Sequence, residues 1–249
     1  MASVTPFRSE LSFASLVAYC PRGDTPAILA SRQVMYLVKE NRVTTTQAGV
    51  MPMAAYVALR AKQIAPAYAD TFLSGNVALV PVPRSGLQKA GALWPAKEIA
   101  EALRAVGYGS HVLPCLSRTT AVPKAATAAP RERPKARVHY ESLTVTRPLE
   151  LPATVTLVDD VVTRGAQLLG AAWRIWAVRP DVVVRAFAVI RTISDPADFE
   201  GVAAPCVGTI TLRGEDAFRS PLRAQAVPKP GLSMWPPRRS RSAALRLRR

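Results

Sequence analysis

The segment Val155 to Gln167, VTLVDDVVTRGAQ, gathers the residue types in this chain best suited to binding chemistry. Four residues of strand character, three of them apolar, lead to two acids, Asp159 and Asp160, then through two valines to Thr163-Arg164-Gly165-Ala166, which opens a helix. In an α/β sheet ligands bind beyond the carboxyl ends of the strands, which is where this order puts both carboxylates. A turn entering a helix aims backbone N–H groups at one point, and Gly165 permits close backbone approach. The segment therefore offers an anion site suited to a phosphate.

Each of these residues also has an ordinary role. An Asp-Asp pair at a strand end makes a solvated turn, Gly165 a helix entry, Thr163 an N-cap, and Pro81 and Pro83 the end of an edge strand. The binding reading rests on the coincidence of the acid pair, Thr163 and Gly165 in one strand-turn-helix unit.

The surrounding elements must hold that unit in place. Val77 to Pro83 (VALVPVP) reads as a buried strand stopping at a loop, residues 92–106 as a helix closing at Gly107, and Val112 to Leu116 as a short strand. Val155 to Val158 is a strand, Gly165 to about Val178 a helix, and Asp181 to Ile190 another strand. Alternation of this kind predicts an α/β domain with a parallel sheet. Helices are also predicted from Pro26 through Val38 and from Met53 to about Ala65. The first 25 residues hold only a short apolar run, Phe13 to Cys20, ended by a turn. The stretch Ser117 to Val138 is longer than an ordinary connection, which suggests a functional lid or a disordered segment.

LVDDVVTRGAQ resembles the phosphoribosyl pyrophosphate motif of the type I phosphoribosyltransferases. Leu79-Val80-Pro81-Val82-Pro83-Arg84 resembles their pyrophosphate loop, and most closely the VPVP segment of the ComF family. The likeness extends to Ser117-Arg118 and Arg131-Glu132-Arg133 and covers roughly residues 27 to 192, without the cysteine-rich zinc module of many ComF proteins. It implies the type I fold: a mostly parallel twisted sheet flanked by helices, with a flexible lid. By resemblance, Asp159 and Asp160 would contact the ribose hydroxyls, and Thr163, Arg164, Gly165, Ala166 and Gln167 would wrap the 5′-phosphate. Pro83 and Arg84 would hold pyrophosphate. Many relatives have Thr or Gly at the place of Arg164 and Thr at that of Gln167.

The implied activity is transfer of ribose 5-phosphate from phosphoribosyl pyrophosphate to a nitrogenous acceptor, with release of pyrophosphate. A lid would exclude water from an oxocarbenium-like state, and among Arg118, Lys124, Arg131 and Arg133 the choice for pyrophosphate contact falls on Lys124 and Arg133. Mg2+ is the implied cofactor, held by Asp159 and Asp160 indirectly, through substrate or water. The alternative is a non-catalytic phosphoribosyl pyrophosphate or nucleotide sensor, or a ComF-like competence accessory factor in DNA uptake. A homodimer is among the assemblies to expect.

Composition bounds the rest. With 49% hydrophobic and 20% charged residues, the 249-residue chain can bury a substantial core. Cys20, Cys115 and Cys206 are widely spaced and form no CxxC pair, which supports neither a disulfide framework nor a zinc ribbon. His111 and His139 are too isolated for a dyad, and Trp173 and Trp176 suit core packing. With no apolar leader and no stretch of about 18 apolar residues, the expectation is a cytoplasmic chain without membrane partners.

The net charge is +16, and residues 1–70, 71–150, 151–218 and 219–249 carry +3, +6, −2 and +9 of it. The expected organisation is an N-terminal segment 1–25, a phosphoribosyltransferase-like domain 26–217, and a Pro/Arg-rich tail 218–249 of disordered composition. Through that tail, nucleic acid is a further candidate partner.

Overall fold

A computed structural model of the chain describes residues 7–46, 49–64, 66–123, 132–146 and 151–221. Its body is a seven-stranded mixed sheet, mostly parallel, with helices on both faces. The strands are β1 (Glu10–Tyr19), β4 (Ala78–Pro81), β5 (His111–Val112), β8 (Thr154–Val162), β9 (Val183–Thr192), β10 (Ala203–Arg213) and β11 (Asp216–Pro221), in the order β11-β10-β1-β9-β8-β4-β5. The five strands from β1 to β5 in that order pair in parallel, whereas β10 and β11 are antiparallel. Two small hairpins, β2 (Val43–Thr46) with β3 (Gly49–Pro52) and β6 (Leu116–Arg118) with β7 (Leu143–Val145), stand apart from it.

Strands covered on both faces must be apolar throughout, and β4 is buried at all four positions. One face carries α5 (Ala136–Glu141) and α6 (Ala166–Val178), whose Leu168, Leu169, Trp173 and Trp176 pack with Val155 and Leu157. The other carries α1 (Pro26–Lys39), α2 (Met53–Ile64), α3 (Pro66–Leu73) and α4 (Pro95–Ala105), joining Val57, Leu73, Ile99 and Leu103 to Val158 and Phe187. Proline opens α1 and α4 at positions that need no N–H donor, and Thr25 Oγ1 accepts from the Ile28 N–H at 3.3 Å to cap α1. Gly170 lets α5 lie against α6: a Cβ there would stand 2.5 Å from the Ala136 carbonyl oxygen and 2.7 Å from His139 Cβ.

Three expectations change. The apolar run in the first 25 residues is no appendage: β1 sits inside the sheet, parallel to β9 and antiparallel to β10. The domain therefore begins before residue 26. At the other end β11 carries ordered chain to Pro221, past the expected boundary at 217, and residues 222–249 lie outside the described residues. Val112 to Leu116 is not one strand, since β5 and β6 belong to different sheets.

Strand order fixes where a ligand can enter. From β4 the chain steps outward to β5, and from β8 it steps the opposite way to β9. The loops after β4 and β8 therefore diverge from a shared crevice, the position at which open α/β sheets bind ligands.

Candidate functional site

That crevice holds a cleft of about 540 Å3. Asp159, Asp160 and the whole turn Thr163, Arg164, Gly165, Ala166 and Gln167 line it from one side, and Arg84 with Ser85 to Gln88 from the loop after β4. Pro123, Arg133 and Lys135 close it from the segment before α5, His139 from α5 itself, and Asp216 from β11.

The acids lie further inside the fold than the sequence suggests. β8 continues through them, pairing Asp159 with Ala188 and Val162 with Arg191 of β9. Asp159 is only 4% exposed, whereas Asp160 is partly open to the cleft. Burial, the neighbouring Asp160 charge and a side-chain hydrogen bond with Asp160 push the Asp159 carboxyl well above the usual carboxylate range. The Asp160 backbone N–H and the Lys39 charge oppose that rise. Gln167 Nε2 donates to Asp159 Oδ2 at 3.2 Å and reaches the Pro83 carbonyl oxygen at 3.4 Å, tying the acid to the opposite loop.

Gly165 takes φ +97° as the residue before α6, a backbone region that other residues rarely adopt. No side chain caps the helix there. The first-turn N–H groups of α6 consequently face the cleft with their dipole and no internal acceptor from a capping side chain.

The basic residues expected of a lid divide into three groups. Arg118 is not a lid cation: it is 7% exposed, and its guanidinium donates to the Arg84 carbonyl at 2.6 Å, to Ser142 Oγ at 2.5 Å and to the Pro83 carbonyl at 3.4 Å. It pins the loop after β4 to the β6–β7 hairpin. Arg133 does face the cleft, and its Nε has no partner among the described residues. Lys124 and Arg131 lie outside the described residues. The two ends of the 117–138 stretch belong to β6 and α5. Pro83 is buried and does not line the cleft, so its part here is to present a carbonyl to Gln167 and Arg118.

Sequence reasoning missed Lys39, Trp94, Lys135 and Asp216 as lining residues. They lie on four separate segments, and no local motif joins them. His139, too isolated in the sequence to suggest a dyad, is buried and also lines the cleft. Burial first, and then the Arg118 charge, lower its pKa to about 4. Between pH 6.5 and about 4 the unfolded chain binds a proton that folded His139 refuses, so stability falls as pH drops through that window. The full loss is roughly 3 kcal/mol. Urea midpoints at pH 7, 6, 5 and 4 should show it, and His139→Gln should flatten the slope.

Among the described residues no group of three or more His, Cys, Asp and Glu side chains forms a metal cage. The donor set suits instead a hard divalent ion that takes one or two carboxylates and completes its shell with phosphate and water. No helix among the described residues is long and apolar enough to cross a membrane. Compared with protein-family models and with curated proteins, the chain matches none of either.

Proposed function

We propose that the chain is a phosphoribosyltransferase of the type I kind, ComF-like in its loops, which binds phosphoribosyl pyrophosphate with Mg2+ and transfers ribose 5-phosphate to a nitrogenous acceptor. One observation carries the reading: the acid pair, the uncapped turn into α6 and the loop after β4 share a single cleft where the strand order reverses. A sugar bearing a phosphate at one end and a pyrophosphate at the other needs that arrangement, with anion sites flanking hydroxyl acceptors.

In this reading Asp159 and Asp160 receive the ribose hydroxyls, and residues 163–167 receive the 5′-phosphate. Arg84, Arg133 and Lys124 meet the pyrophosphate. Asp160, the more exposed acid, and Asp159 would hold Mg2+ through substrate or water, where the ion supplies neutralisation of the leaving group's charge. As the bond from the anomeric carbon to pyrophosphate breaks, a bond to the acceptor nitrogen forms. The protein contributes position and electrostatic stabilisation, with no covalent nucleophile.

Calorimetry with phosphoribosyl pyrophosphate and Mg2+ tests it. The wild type should bind, and the Asp159→Asn plus Asp160→Asn variant should lose at least about tenfold in affinity, the scale of one or two charge-assisted contacts. No binding by the wild type, or undiminished binding by the variant, rejects the proposal. Gln167 engaging Asp159 favours a second reading, a sensor that binds without turnover. Binding with no pyrophosphate release across purines, pyrimidines and ammonia would select it.

A further inference from the structure

The turn into α6 already has one neighbouring anion, and it belongs to the protein. Asp216, at the start of β11, places Oδ1 2.5 Å from Lys135 Nζ and 3.9 Å from Arg164 Nη1. Lys135 immediately precedes α5, and Arg164 belongs to the turn before α6. Three segments distant in sequence thus meet at one carboxylate oxygen, on the wall of the cleft.

We propose that Lys135 and Arg164 form a phosphate subsite whose position Asp216 holds in the absence of ligand, and that a phosphomonoester group displaces it. Three features support this. Two cations face a single carboxylate, and Arg133 on the same wall adds a third positive charge. The three side chains of the pair and triad are 32%, 40% and 39% exposed, so the internal ion pairs are weak ones that a competing anion can exchange. The Lys135 hydrogen bond holds the Asp216 carboxyl below its usual range, keeping it a charged competitor at neutral pH.

A phosphate dianion offers three acceptor oxygens and more charge than a carboxylate. It can also take the N–H groups of α6, which have no capping side chain. Ligand and Asp216 therefore compete for Lys135 and Arg164. Asp216 is then a brake on affinity, and Lys135 a binding residue that no local motif reveals.

The inference rests on the proposed function only in taking a sugar phosphate as the ligand of this cleft. Its test uses ribose 5-phosphate, inorganic phosphate and unphosphorylated ribose as probes, so that it does not depend on phosphoribosyl pyrophosphate. By calorimetry at low salt, Asp216→Asn should bind ribose 5-phosphate about two- to fivefold more tightly than the wild type, and Lys135→Met more weakly by a similar factor. The gain from Asp216→Asn should shrink when Lys135→Met is present, because the two share a contact. Asp216→Ala serves as the second variant if the amide perturbs the hairpin.

Unchanged or weaker binding in both Asp216 variants, with melting temperatures held near the wild type, overturns the proposal. So does a failure of wild type and variants alike to bind ribose 5-phosphate. Equal tightening toward plain ribose would show that the effect is not a phosphate contact and overturns it too. Inorganic phosphate following the same order would assign the contact to the phosphate group. If ribose 5-phosphate behaves as expected while phosphoribosyl pyrophosphate with Mg2+ does not bind, the subsite stands and the transferase reading fails.

Discussion

Asp159→Asn is expected to raise the melting temperature at neutral pH while it weakens ligand binding. The wild-type carboxyl is almost fully buried, beside a second acid, and is held well above the ordinary carboxylate range. Desolvation is the main cause, so ionising Asp159 costs the folded state more than the unfolded chain. Above the ordinary value of 3.8 the unfolded chain gives up this proton while the folded chain retains it. Stability therefore falls as pH rises through the raised folded value, and the penalty is complete above it.

Asparagine removes the ionisation and keeps the shape. Its oxygen can still accept from the Asp160 N–H, now at 2.9 Å, and its amide can donate toward the Asp160 carboxylate, which the proton now serves. Gln167 would turn its oxygen toward the new amide, giving up only a 3.4 Å contact to Pro83. The expected gain is about 1–3 kcal/mol, the scale of a buried polar group freed from unfavourable desolvation, at roughly 2–4 °C per kcal/mol in a chain of this size. Thermal melts of wild type and variant at pH 4, 6 and 8 check it: the difference between them should grow with pH. That difference also removes the opposing His139 slope, which both proteins share. A variant that melts lower at pH 8 would mean that the buried carboxylate stabilises the fold. Gain of stability with weaker binding is the signature of a residue kept for function against the interest of folding.

How far the sequence foretold this depended on whether the relevant neighbours were local. VTLVDDVVTRGAQ and LVPVPR carry their own structure, as strands that stop at turns, and the fold brings both to one cleft. The end of β8 was harder to read, because the acids break the apolar run while the hydrogen-bonded ladder with β9 continues to Val162. β1 was illegible for a related reason. Its ten residues gain their place by pairing with β9 and β10, more than 170 residues away, and nothing within Phe13 to Cys20 announces those partners. Arg118 looked like one more cation in a basic loop. Only the three acceptors that converge on it, two of them carbonyls 34 and 35 residues earlier in the chain, show that it is buried. Lys135 and Asp216 met across 81 residues, beyond any spacing rule.

Arg118→Met is expected to cost about 3–5 kcal/mol, the loss that follows removal of one member of a buried charged network. Methionine matches the stem of the side chain but supplies no donor. The Arg84 carbonyl and Ser142 Oγ lose their contacts at 2.6 and 2.5 Å. Arg118→Lys should recover only part of the deficit, because a single ammonium lacks the planar fork that reaches three acceptors on two segments. The consequences should extend to the site, since Arg84 and the loop after β4 are anchored through this guanidinium. A melting temperature lower by roughly ten degrees is the expected readout for methionine, with a smaller fall for lysine. In urea titrations the Arg118→Met variant should also show a shallower acid slope between pH 6.5 and 4, because the Arg118 charge is one of the two causes that depress the His139 pKa. A surface cation on a mobile loop would show neither effect. Unchanged stability in Arg118→Met would return the residue to the lid and leave the loop after β4 to be held by Gln167 and Trp94, whose Nε1 donates to the Val82 carbonyl at 2.8 Å.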